Sequence, residues 1–90
     1  MKESLWVARL TISDATEHKI NSRHDLTGEQ VREAVVCVQG LSYAWDDDSA
    51  RGRRALVDVR IGGRRILVIL YPVDDPMGDV YALGSAYERN

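Results

Sequence analysis

The chain has 90 residues and a mass of 10.1 kDa, which predicts a single domain over residues 1–90 and excludes a two-domain enzyme with its own cofactor fold. Hydrophobic residues at 44% and charged residues at 29% are typical of a globular protein and not of a disordered chain. The net charge of −2, taken alone, argues against a general nucleic-acid binder.

The compartment can be predicted from the cysteine content and from the lack of long apolar runs. The single cysteine, Cys37, cannot form an internal disulfide, and one Cys with two His cannot build a Cys-rich zinc site. The first six residues lack the apolar stretch of a signal peptide, and no run approaches the ~20 apolar residues of a membrane helix. We therefore expect a cytoplasmic protein without a metal, another cofactor or a membrane partner.

The first predicted elements are a strand and two helices. Residues 5–12 alternate, which predicts a strand with Trp6 and Leu10 on its inner face. Ser13 and Asp14 offer a cap, and Glu17, three residues after Asp14, completes a capping-box spacing for a helix through about residue 23. A second helix begins at Thr27 with Gln30 three residues later. Its apolar stripe is Val31, Ala34, Val35 and Val38, and Cys37 beside the stripe is expected to be buried. Gly40 is expected to end it.

Four further strands are predicted after the helices. Residues 41–45 form a short strand with Trp45 as a cap on the core, and the run Asp46-Asp47-Asp48 forms a loop. Gly62 and Gly63 then turn a hairpin, because both residues of such a loop can adopt positive φ. The continuous apolar run at 66–70 is typical of a central strand covered on both faces, and residues 80–83 form the last strand.

The hairpin register follows from the two-residue turn. Val57 faces Val68 on an apolar side that the second helix must cover, whereas Arg60 faces Arg65 and Arg54 faces Tyr71 on the open side. The open side also carries an apolar patch, which comprises Leu56, Leu67 and Ile69. The expected fold class is α+β, in the order β-α-α-β-β-β-β, with both helices on one face of a mainly antiparallel twisted sheet.

The hairpin also concentrates positive charge. Between residues 51 and 65 six arginines accompany one acid, Asp58; they are Arg51, Arg53, Arg54, Arg60, Arg64 and Arg65. Arginine suits forked binding of phosphate or carboxylate, so these residues and Tyr71 are the predicted surface for RNA or for a protein partner. The alternative is that the charges only keep an exposed strand from aggregating.

Histidines, aspartates and tyrosines outside the hairpin are further candidates. His18 and His24 lie six residues apart, which is not the spacing of two metal ligands on a helix, and His18 with Lys19 could transfer protons or contact phosphate. The three consecutive aspartates suit a solvated loop better than a metal site. Tyr87, expected in a polar tail, is a better stacking or proton-transfer candidate than Tyr81.

The order of elements and several short segments resemble the RelE/ParE superfamily of type II toxins, in particular its BrnT-like members. The segments are Glu17-His18-Lys19, Arg23-His24-Asp25-Leu26-Thr27, Val31-Arg32-Glu33-Ala34, Arg51-Gly52-Arg53-Arg54 and Gly62-Gly63-Arg64-Arg65-Ile66-Leu67-Val68-Ile69. Such proteins are mRNA endoribonucleases, ribosome-dependent or free, or gyrase inhibitors, and a cognate antitoxin holds each one inactive.

The resemblance implies a RelE-like domain and a metal-independent endoribonuclease that inhibits translation. Arg54 would match the hairpin arginine of the family, His18 or Lys19 the basic helix position, and Tyr87 the C-terminal aromatic. Arg54 is then the residue expected to matter most for activity, and the terminal Arg89 is expected to be idle. The alternative is a binding module of the same fold, such as a degenerate toxin or a phage-type inhibitor, that grips an acidic protein. The sequence leaves open whether the protein forms oligomers.

Overall fold

The computed structural model describes residues 4–89. Residues 1–3 and residue 90 lie outside the described residues. The expectation of no signal peptide depends in part on residues 1–3. The elements are β1 (Arg9–Thr11), α1 (Asp14–His24), α2 (Gly28–Val35), β2 (Ser42–Asp48), β3 (Gly52–Ile61), β4 (Arg64–Pro72) and β5 (Val80–Glu88). This order confirms the predicted α+β fold.

The five strands form one mixed sheet in the order β1-β5-β4-β3-β2. β1 runs parallel to β5, and the other neighbours are antiparallel. β4 is central, and each residue of its run 66–70 is at most 9% exposed. A continuous apolar run indicates such a position, because both faces of a central strand are covered.

The predicted hairpin register is confirmed from Ile61 opposite Arg64 to Ala55 opposite Leu70. Val57 and Val68 are fully buried and share one core with Ile20 of α1 and with Val31 and Val35 of α2. α2 contacts β3 and α1 contacts β5. On the other side of the sheet Leu67 and Ile69 are only 9% and 8% exposed. The predicted apolar patch is therefore largely covered by the protein's own side chains.

The helix caps differ in part from the prediction. α2 has the expected capping box, with Thr27 and Gln30 bonded reciprocally. In α1 the cap is Ser13, whose hydroxyl accepts from the Thr16 backbone N–H. Glu17 does not close a capping box; its carboxylate accepts from the Gly28 backbone N–H at 3.0 Å and joins the two helices.

α2 is shorter than the stripe predicted. It ends at Val35 because Val36 forms a parallel bridge with Val7 and the Cys37 N–H donates to the Val7 carbonyl at 2.8 Å. Val38 is therefore outside the helix, and Gly40 does not cap it. Cys37, expected to be buried, is exposed in a left-handed conformation (φ 58°).

β1 is also shorter than predicted, and its faces change along the segment. The N–H groups of Ala8 and Arg9 both donate to the Asp79 carbonyl, at 2.8 and 3.4 Å. Where these two successive N–H groups share one acceptor, the alternation of buried and exposed residues shifts by one position. As a result Val7 is buried together with Leu10, whereas Trp6, expected on the inner face, is 37% exposed.

Two other strands are longer than predicted. β2 includes all three aspartates that were expected in a loop, with Asp46 opposite Arg54 and Asp47 opposite Arg53. β5 continues to Glu88, so Tyr87 belongs to a strand and not to a polar tail. No helix among residues 4–89 is long and apolar enough to cross a membrane.

Candidate functional site

Arg54, the predicted catalytic arginine, lies in a network of side chains on the face of the sheet that the helices leave open. Its guanidinium contacts the Asp46 carboxylate through Nε at 2.9 Å and Nη2 at 2.7 Å, and it lies 3.8 Å from Asp48. The Tyr71 hydroxyl donates to Asp48 at 2.8 Å, and the Arg51 guanidinium stacks 4.0 Å over the Tyr71 ring. We call these five residues the Arg54 network.

The network stabilises the charged forms of Arg54 and Asp48. The hydrogen bond to Asp46 raises the pKa of Arg54. The pKa of Asp48 is lowered, first by a hydrogen bond from the Ala50 backbone N–H and then by the one from Tyr71. A guanidinium already held by two carboxylates has little capacity for an external phosphate. The sequence prediction missed these carboxylates because it ended β2 at Trp45.

The other predicted catalytic residues lie away from Arg54. His18 is exposed on α1, and Lys19 donates to the Gly84 carbonyl at 3.2 Å. The Tyr87 ring lies 6.0 Å from that of His24, and Tyr87 pairs with Leu67. Leu67 is four positions from Tyr71 along β4, so the backbones of Tyr87 and Arg54 are about 13 Å apart along the strands and about 10 Å across them. The structure does not unite these residues in one site.

Two of the predicted binding arginines hold elements of the fold in place. Arg64 donates to the carbonyls of His24 at 2.8 Å and Asp25 at 3.3 Å, and it contacts Glu88 at 3.2 Å. It therefore fixes the C-terminal end of α1 to the sheet. Arg53 lies 3.9 Å over the Trp45 ring, on the other side of the sheet from Arg54.

Arg60 and Arg65 form a different kind of site at the Gly62–Gly63 end of the open face. They are directly opposite each other, and both are exposed. Arg89, which directly follows β5, extends the row, since its N–H donates to the Arg65 carbonyl at 2.8 Å. Arg60 contacts the Gly63 carbonyl at 3.4 Å, and within residues 4–89 neither Arg60 nor Arg65 has a carboxylate within 4 Å.

The next row toward the centre of the sheet contains Asp58, Leu67 and Tyr87. Both Asp58 oxygens are taken by Arg89 Nη1, at 2.9 and 3.0 Å. Arg89, expected to be idle, is thus ion-paired. Asp58, Arg60, Arg65, Tyr87 and Arg89 together are called the tip surface. Three arginines and one aspartate give it two net positive charges, and Asp58, Arg60 and Arg65 line a shallow depression.

Metal binding is not supported in the described part of the chain. No group of three or more His, Cys, Asp or Glu side chains among residues 4–89 is arranged to hold a metal ion. The three consecutive aspartates illustrate why. In a strand, successive side chains point to opposite faces, so Asp46 and Asp48 join the Arg54 network while Asp47 lies on the other side.

Compared with known protein families, with characterised proteins and with solved structures, the chain matches none.

Proposed function

We propose that this protein binds RNA through the phosphate backbone and that the tip surface is the binding site. The observation that supports this is that Arg60 and Arg65 lie directly opposite each other on adjacent strands and have no carboxylate within 4 Å among residues 4–89. Like charges directly opposite on a sheet are destabilising, and an anionic ligand relieves that repulsion. Neighbouring strands are about 4.8 Å apart, so the two guanidinium groups can lie close enough to contact one phosphate or two neighbouring phosphates.

RNA is favoured over an acidic protein by the aromatic residue in the next row. The Tyr87 backbone lies in the row next to that of Arg65, and its half-buried ring is 6.0 Å from the ring of His24. Single-stranded RNA is bound by such combinations, because a base stacks on the ring while cationic groups contact the backbone. An acidic protein surface would not require the ring.

Within this proposal, the resemblance to RelE/ParE toxins favours a cytoplasmic toxin that acts on mRNA and is neutralised by a cognate antitoxin. Cleavage would use the RNA 2′-hydroxyl as nucleophile and would need no metal. Tyr87 is the proton-transfer candidate that lies next to the phosphate site, and Arg65 is the group that could stabilise the charge developing on phosphorus.

The second candidate function is a non-catalytic binding module of the same fold. It is favoured by the engagement of Arg54 with Asp46 and by the distance from Arg54 to Tyr87, which separates the predicted catalytic residues. Such a protein would bind RNA at the tip surface without cleaving it.

The binding proposal is tested by fluorescence anisotropy with a labelled single-stranded 12-mer RNA over a range of salt concentrations. Each phosphate contact contributes about 0.7 to the slope of log affinity against log salt. Arg60→Gln with Arg65→Gln should therefore reduce the slope by about 1.4. The matched control is Arg9→Gln with Arg23→Gln, which removes the same charge from other surfaces. Equal losses in both double variants would contradict a defined site.

Catalysis is tested separately by incubating wild-type protein with mRNA in EDTA. If the wild type cleaves, Arg54→Ala and Arg65→Ala are compared at equal folded fraction, since removing a charge-stabilising donor typically lowers the rate ~10²–10³-fold. Loss in Arg65→Ala alone supports the tip surface, and loss in Arg54→Ala alone supports the assignment made from the sequence. RNA binding without cleavage supports the non-catalytic module. Growth arrest on expression, rescued by a neighbouring reading frame, would support the toxin.

A further inference from the structure

β2 has an unpaired edge that the proposed RNA surface does not use. Ser42–Asp48 pairs with β3 on one side, and no strand among residues 4–89 pairs with its other side. The strand is seven residues long and contains no proline or glycine. Along such an edge every second residue directs its N–H and C=O away from the sheet, where they can pair with another extended chain.

Two aromatic rings lie beside this edge. Tyr43 and Trp45 are opposite the buried residues Val57 and Ala55, so both point to the helix side of the sheet. Both rings are half-buried against the core and meet edge to face, with centroids 6.1 Å apart. Arg53 covers Trp45 from the β3 side. The outer sides of the rings therefore offer apolar surface next to unpaired backbone groups.

The charge of the edge is negative, opposite to that of the tip surface. β2 carries three aspartates and no basic residue. Asp46 and Asp48 belong to the Arg54 network, but Asp47 is exposed, and within residues 4–89 it has no ion pair within 4 Å. Its cross-strand neighbour Arg53 stacks on Trp45 instead. A partner strand would thus pass two aromatic rings and then an unpaired carboxylate.

We propose that the β2 edge binds an extended segment of a partner protein, which adds to the sheet as a sixth strand. The segment carries apolar side chains beside Tyr43 and Trp45 and a lysine or arginine beside Asp47. Backbone hydrogen bonds supply affinity in this mode, and the alternate side chains supply specificity. A second copy of this chain fits less well, because its β2 contains no basic residue that could pair with Asp47.

The edge and the tip surface can be occupied at the same time. Asp47 is level with Arg53, and Arg53 and Arg60 are seven positions apart on β3, about 23 Å along the strand. The proposal is therefore independent of RNA binding, and a failure of one does not imply a failure of the other.

The probe is the blocked peptide Lys-Thr-Val-Thr-Val-Thr-Lys, which can pair in either direction. Its control has proline in place of both valines, which keeps the charge but prevents strand pairing. The chain has two tryptophans, so Trp6→Phe leaves Trp45 as the single fluorescent reporter of binding. Amide hydrogen exchange then shows where the peptide lies: with peptide at ten times its Kd, the outward amides of β2 should exchange about tenfold more slowly.

A charge exchange tests the register. Asp47→Lys should lower the affinity for the lysine peptide about fivefold and raise the affinity for a peptide with glutamate in place of both lysines by a similar factor. The control Asp74→Lys, in the exposed β4–β5 loop, should change neither affinity. Unchanged exchange of the β3 and β4 amides would show that the variants are folded. The proposal is overturned if the β2 amides are not slowed, if the proline peptide binds equally well, or if those amides are already protected in a dimer without peptide.

Discussion

Arg64 and Arg65 are adjacent residues of one type for which the structure predicts opposite roles. Arg64 holds the end of α1 through the His24 and Asp25 carbonyls, and its side chain is 30% exposed. Arg65 points to the other side of the sheet, is exposed and belongs to the tip surface. Truncating each to alanine should therefore change stability in one case and RNA affinity in the other.

The expected loss for Arg64→Ala follows from its contacts. A hydrogen bond from a charged donor contributes ~1.5–3 kcal/mol when its acceptor would otherwise be unsatisfied. Here water can replace part of the lost bonding at the carbonyls, and the contact with Glu88, which is 51% exposed, adds little. We expect the free energy of unfolding to fall by about 1.5–2 kcal/mol, including the loss of a cation at the C-terminus of α1. For a domain of this size that lowers Tm by about 8–12 °C.

Circular dichroism during thermal and urea unfolding measures the stability of both variants, and anisotropy with the 12-mer RNA measures binding. Arg65→Ala should stay within ~0.5 kcal/mol of wild type in stability but bind RNA more weakly. Arg64→Ala should bind RNA normally at temperatures where it is folded. Equal stabilities for the two variants, or a loss of RNA affinity confined to Arg64→Ala, would refute the division of roles.

Three further outcomes are expected. Leu70→Ala, at a fully buried position of the central strand, should cost ~2–5 kcal/mol of unfolding free energy, whereas the exposed Val73→Ala should cost under ~0.5 kcal/mol; denaturant titration compares them. The pKa of Asp48 is lowered in the folded state. Its carboxylate therefore contributes to the free energy of unfolding above the ordinary pKa of 3.8, and this contribution is lost as the pH falls through the lower folded pKa. Below about pH 4 the free energy of unfolding should therefore depend less on pH in Asp48→Asn than in the control Asp74→Asn, which changes an exposed aspartate. Parallel curves of unfolding free energy against pH for the two variants would contradict this. Cys37 is exposed, so a thiol reagent should label it in folded protein at a rate near that in urea; labelling only on unfolding would show that the residue is buried.

The sequence determined the elements that depend on local pattern. Gly62 and Gly63 set a two-residue turn, and that turn fixes which residues oppose each other along the whole β3–β4 hairpin. The apolar run at 66–70 indicated the central strand, because no residue in it could face water without loss. The capping box of Thr27 and Gln30 was likewise readable, since both partners lie within one turn of helix.

The tertiary structure decided where those elements end and which charges remain available. α2 stops at Val35 and Cys37 is exposed because Val7, distant in sequence, pairs with the chain there. The burial pattern of the first strand shifts by one position where two successive N–H groups share the Asp79 carbonyl. Neither Val7 nor Asp79 can be recognised from the sequence of the segment whose structure it changes.

The same reason explains the outcome at the candidate site. The cluster of six arginines was visible in the sequence, but their partners lie elsewhere in the chain. Asp46 reaches Arg54 only because β2 continues past Trp45. The carbonyls that engage Arg64 belong to the end of α1, about 40 residues earlier. The sequence therefore located the positive charge. Cross-strand pairing decided that Arg60 and Arg65 have no carboxylate partner in the described part of the chain. The reason is that an ion pair depends on distance in space and not on distance along the chain.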